Sequence, residues 1–79
     1  MKAGNQKFLR DLNKKAILRL AKYQGPLSRV EMADLTGLSS TTVSSLVHEF
    51  IDEGVLEEVG EGASRGGRKP VLLRFNPDS

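Results

Sequence analysis

The chain has 79 residues, no cysteine, one histidine, and twelve Lys/Arg against ten Asp/Glu for a net charge of +2. That length holds one domain with a core near the minimum for independent folding, and leaves no room for a separate cofactor domain. Without cysteine there is no disulfide framework or thiolate metal site, no apolar run approaches the roughly 20 residues of a membrane span, and the N-terminus lacks a signal-peptide core. These features suit a cytoplasmic protein.

The charges are segregated. Residues 1–30 hold eight Lys/Arg against the single Asp11, residues 31–62 hold eight Asp/Glu and no Lys or Arg, and residues 63–79 hold four Lys/Arg against Asp78. Two basic regions flanking an acidic middle suit a polyanion touched by both ends of the chain.

Residues 5–24 read as helical, with Leu9, Leu12, Ala16, Ile17, Leu20 and Ala21 on an apolar stripe and Lys14, Lys15, Arg19 and Lys22 mostly off it. Asn13 is a candidate second N-cap, so the segment is either one helix or a short leading helix followed by a main one. Gly25-Pro26 ends it, with glycine at the first position past the helix and proline forbidding continuation.

Ser28 and Glu31 have the S-x-x-E spacing of a capping box, and Leu27 with Met32 that of a hydrophobic staple. The spacing predicts a short helix over 29–36, with Val30, Ala33 and Leu35 as inward candidates, stopped at Gly37 by a left-handed turn. Ser39 is the next N-cap, and Leu38 with Val43 repeats the staple. The helix that follows, within residues 39–54, buries Val43, Leu46, Val47, Phe50 and Ile51 at i, i+3, i+4, i+7 and i+8. Its opposite face carries Thr41, Ser44, Ser45, His48 and Asp52. A helix shaped only for solubility would show Glu, Lys and Arg there. Small hydroxyl side chains instead allow close approach and hydrogen bonding to another surface. Two short helices joined by a tight glycine turn, the second with such a face, form the pattern of a helix-turn-helix.

After Gly54 the apolar period changes from 3.6 to 2, and residues 55–59 and 71–75 read as two strands joined by the Gly-rich basic segment 60–70. The predicted fold class is mainly α with a β-hairpin: a winged helix-turn-helix of three helices and a two-stranded wing. Residues 1–76 would form this DNA-binding domain, and residues 77–79 would begin a linker to a further C-terminal domain.

The candidate contacts with double-stranded DNA follow. Ser39, Ser40, Thr41, Thr42, Ser44 and Ser45 lie toward the N-terminal end of the recognition helix, where hydroxyls and the helix dipole favour phosphates and base edges. His48 is the longest polar group on that face. Arg65, Gly66, Gly67, Arg68 and Lys69 place three cations on a slender wing tip, suited to the narrow minor groove of A·T-rich flanks. Ser28 and Arg29 stand where the first helix of such a motif crosses the DNA backbone, and Asn13, Lys14 and Lys15 are further candidate phosphate contacts. One histidine without cysteine assembles neither a catalytic nucleophile–base pair nor a recognised metal ligand set, so no catalytic residue, metal or cofactor is expected. The competing reading is a winged helix used for protein–protein contact, against which the basic wing argues.

Asn13, Ile17-Leu18, Gly25-Pro26-Leu27-Ser28-Arg29, Thr36-Gly37-Leu38-Ser39, Thr42-Val43-Ser44, Glu53-Gly54 and Gly66-Gly67-Arg68-Lys69-Pro70 together resemble the N-terminal domain of ROK-family (repressor, open reading frame, kinase) sugar repressors. The resemblance runs over nearly the whole chain. It implies a bacterial transcriptional regulator that binds an operator as part of a homo-oligomer. It also implies a larger sugar-kinase-like C-terminal domain that binds an inducer sugar, often holds a structural zinc, and supplies the oligomer contacts. On that basis the isolated domain is expected to be monomeric. Ser40 and Ser45 depart from the longer or basic residues often found at these places, which bears on affinity and operator identity.

Overall fold

A computed structural model describes residues 2–61 and 70–78. Its elements are α1 (Lys2–Gln24), β1 (Leu27–Ser28), α2 (Arg29–Thr36), α3 (Ser40–Asp52), β2 (Leu56–Glu61) and β3 (Val71–Phe75). The expected three helices and the hairpin are present. The sheet has one strand more than expected: β1 pairs antiparallel with β3, as Leu27 with Leu73 and Ser28 with Leu72, giving the order β1-β3-β2. Two residues are too short a run to show a period of 2, so β1 was invisible to pattern reading. In β2–β3 the register runs from Leu56 opposite Phe75 to Glu61 opposite Val71, with an irregularity between Val59 and Glu61.

α1 is a single helix, and Asn13 does not interrupt it. Its core contribution is Ile17 and Ala21, which join Leu27, Met32, Val43, Leu46, Val47, Phe50, Leu56 and Leu73 in one cluster. Leu9 and Leu12, placed on the inward stripe by their spacing, are instead exposed, as is Phe8. Gly25 is not in the left-handed region expected after a helix end; an added Cβ there would collide with the Ala21 carbonyl oxygen, so close backbone approach is what requires glycine.

The boundaries of α2 follow its caps. Ser28 Oγ accepts from Glu31 N–H at 3.2 Å, and Glu31 Oε1 accepts from Ser28 N–H at 2.9 Å, completing the capping box. Met32 is fully buried and Ala33 half-buried, but Val30 and Leu35, read as inward, point to solvent. An eight-residue helix has little more than two turns, and here only one narrow side of it meets the core. Gly37 sits at φ 76°, where its N–H reaches the Ala33 carbonyl at 2.9 Å and turns the chain toward α3.

Ser39 caps α3 by accepting from Thr42 N–H at 3.1 Å. Val43, Leu46, Val47 and Phe50 are buried and Ile51 is half-buried, so the stripe read from the sequence is the stripe that packs. α3 ends in paired reverse bonds, Gly54 N–H to Ile51 O at 3.0 Å and Val55 N–H to Phe50 O at 2.8 Å. These turn the chain directly into β2, which fixes the wing relative to the recognition helix.

Candidate nucleic-acid interface

With its buried stripe held by the core, α3 presents the other side outward. Ser40, Thr41, Ser44, Ser45 and His48 are all exposed. Ser39 and Thr42 are partly committed to the cap: Ser39 Oγ donates to Thr42 Oγ1 at 2.9 Å while accepting the Thr42 N–H. His48 Nε2 lies 3.5 Å from Asp52 Oδ2, one turn further along the same face. The N-terminal half of the helix therefore offers uncharged hydroxyls, and its C-terminal half offers an imidazole beside a carboxylate.

The remaining candidates separate by environment. Ser28 is 5% exposed and its hydroxyl is used by the cap, so it serves the helix start from inside the fold and leaves the set of surface contacts. Arg29 is at the surface, with Nη2 3.4 Å from Glu58 Oε2 on β2. Lys15 is exposed and Asn13 half-buried. Arg65, Gly66, Gly67, Arg68 and Lys69 lie outside the described residues.

Lys14 is turned toward α3 rather than outward. Its Nζ donates to Glu49 Oε1 at 2.9 Å and lies 5.4 Å from the centre of the Phe50 ring, while Arg10 Nη2 pairs with Glu49 Oε2. The hydrogen bond to Glu49 raises the Lys14 pKa, and the hydrogen bonds from Lys14 and then Arg10 lower that of Glu49. Arg10 was not among the sequence-derived candidates. The i, i+4 spacing of Arg10 and Lys14 puts both on one face of α1, but their common partner lies on another helix, beyond the reach of spacing rules. Other acidic residues of the central region are paired too, Glu57 with Arg74 and Glu58 with Arg29.

A short helix, a glycine turn, an anchored helix with a polar outer face and a following strand pair make up a winged helix-turn-helix. The family model described as "Winged helix-turn-helix DNA-binding" matches residues 10–57, from the first helix to the start of the wing. The chain belongs to that family and is a DNA-binding domain.

Its relatives are bacterial regulators, and one of the similar solved structures is a ROK-family regulator, the family that the cap and wing motifs resemble. The chain is 40% identical over 76 residues to the xylose repressor of Bacillus subtilis strain 168, covering 96% of this chain and 20% of that protein. It is 41% identical over 75 residues to the xylose repressor of Caldicellulosiruptor bescii, covering 95% and 19%. It is 34% identical over 70 residues to the DNA-binding transcriptional dual regulator NagC of Escherichia coli K12, covering 89% and 17%. Among solved structures it is similar to a ROK-family transcriptional regulator, a homologue of the E. coli MLC protein, with a TM-score of 0.70 and 27% identity over 86% of this chain and 17% of that one. The chain thus spans about a fifth of the length of the curated relatives it matches. Among the described residues no helix is long and apolar enough to cross a membrane.

Proposed function

We propose that this chain is the operator-reading domain of a cytoplasmic bacterial repressor of sugar-utilisation genes. α3 enters the major groove and the segment 60–70 lies in the adjacent minor groove over A·T-rich flanks. The observation that carries this reading is the exposed hydroxyl face of α3, Ser40, Thr41, Ser44 and Ser45 followed by His48, on a helix whose opposite side buries Val43, Leu46, Val47 and Phe50 in the core. Hydroxyls bond to phosphates and to either kind of base edge, and the Thr41 methyl packs against a thymine methyl. Arg29 and Lys15 serve as phosphate contacts, and Arg65 and Arg68 read the minor groove. The role is binding, with no catalytic step. Residues 1–76 form the functional unit and 77–79 lead into a linker; in the full-length regulator the unit acts in a homo-oligomer assembled through a sugar-binding C-terminal domain. By itself it is a monomer that binds weakly, because half-sites are normally read in pairs. The relatives named as xylose repressors support the sugar assignment.

The test is an anisotropy titration of a labelled A·T-rich duplex at several salt concentrations. A log–log slope of roughly −3 or steeper is expected, since several phosphates are neutralised. Arg65→Ala and Arg68→Ala should weaken binding mainly on A·T-rich flanks; equal loss on all sequences would reduce the wing to a phosphate anchor. No binding even at low salt would sink the DNA reading and favour a protein partner on the Ser44/His48 face.

A further inference from the structure

The Arg10–Glu49–Lys14 cluster sits on the seam between α1 and α3, and its place on α3 gives it a role. Glu49 follows Ser45 by one turn, on the flank of the helix between the outward hydroxyl face and the buried stripe. A helix about 10–12 Å across nearly fills a major groove about 12 Å wide, so each flank of an inserted helix faces a row of phosphates. The α1-side flank of α3 thus carries Glu49 toward one groove wall, with Arg10 and Lys14 reaching it from α1. Both cations are spent on the one carboxylate: Lys14 Nζ on Oε1 at 2.9 Å and Arg10 Nη2 on Oε2. The three side chains remain partly solvent-exposed, at 49% for Arg10, 26% for Lys14 and 33% for Glu49, so the cluster meets water and ions rather than being locked in the core.

We propose that Glu49 is a specificity-determining residue that withholds Arg10 and Lys14 from the DNA backbone and so limits sequence-independent affinity. This rests on the DNA-binding reading above. Phosphate contacts strengthen binding to every duplex alike, whereas base contacts reward only the operator, so restraining two cations lowers background binding without touching the reading face. The opposed pKa shifts of Lys14 and Glu49 agree with a cluster that stays charged and paired at neutral pH.

The experiment is the salt dependence of binding to a mixed-sequence 20-base-pair duplex, which requires no knowledge of the operator. Glu49→Gln should bind this duplex more tightly than wild type, with a log–log slope steeper by about 0.9 for each cation released. Arg10→Gln in the wild-type background should leave the slope unchanged, because Arg10 is already withheld; this arm holds even if Glu49→Gln fails to fold. A folded Glu49→Gln protein with an unchanged or shallower slope would overturn the inference, since Glu49 would then be inert or would be orienting the cations toward phosphate. A shallower slope for Arg10→Gln would overturn it as well. If wild type binds no duplex at low salt, the DNA reading fails and this inference with it; wild-type binding with either contrary slope removes this inference alone.

Discussion

Arg29 Nη2 lies 3.4 Å from Glu58 Oε2, joining the first turn of α2 to the wing strand β2. This is one long contact to a single cation, unlike the Glu49 network that two cations share. Such an exposed isolated pair is worth at most about 1 kcal/mol, so an approaching phosphate can replace the carboxylate. Arg29→Ala should weaken binding to operator and mixed-sequence duplexes by the same factor and make the salt slope shallower by about 0.9. Parallel titrations on the two duplexes check this; a loss confined to the operator would make Arg29 a base reader.

Ser28 is buried at the start of α2 and works through its cap. Ser28→Ala should destabilise the domain by about 1 kcal/mol, the usual cost of a lost N-cap. For a domain this small that corresponds to a fall in Tm of about 4–8 °C. Thermal unfolding measures it, and the DNA affinity of the folded protein, read well below the transition, should be unchanged.

Leu73 is fully buried at the centre of the sheet, opposite Leu27 on one side and Glu58 on the other. Leu73→Ala should cost about 2–5 kcal/mol by leaving a cavity where β3 meets the helices. That is a large fraction of the roughly 5–15 kcal/mol that stabilises a typical domain, so urea unfolding should show a greatly lowered midpoint.

His48 is exposed on the outer face of α3, with Asp52 as its neighbour. His48→Ala should alter the base preference recovered from a pool of randomised duplexes while leaving the fold intact. An unchanged sequence profile would remove His48 from the reading set.

The Glu49 carboxyl titrates below its usual value of about 4.5 because Lys14 and Arg10 bond to its charged form. A carboxyl with a depressed folded pKa contributes stability that is present above its unfolded pKa and is lost as pH falls through the folded one. Lys14, raised by the same bond, loses its contribution only as pH rises through its elevated value. The stability difference between wild type and Glu49→Gln should therefore be constant around neutrality and shrink once pH drops below about 4.5. Tm measured across the acid range checks it.

What could be read from residues alone is what short-range physics dictates. Caps act over three or four residues, so Ser28 with Glu31, and Ser39 with the Leu38 and Val43 staple spacing, announced both helix starts, and Gly37 the turn between them. The period of 3.6 picked out the buried side of α3, and its complement picked out the exposed hydroxyl face. The same spacing rule failed at Leu9, Leu12, Val30 and Leu35, because periodicity marks a face without supplying anything to cover it. Tertiary structure decided the rest. It recruited Leu27 and Ser28 as a third strand by pairing them with β3, more than forty residues away. It buried the Ser28 hydroxyl, turned Lys14 inward, and matched Glu49 with Arg10 and Lys14, Glu57 with Arg74, and Glu58 with Arg29. Charge partners are chosen by which surfaces the packed core brings side by side, and sequence distance carries no record of that.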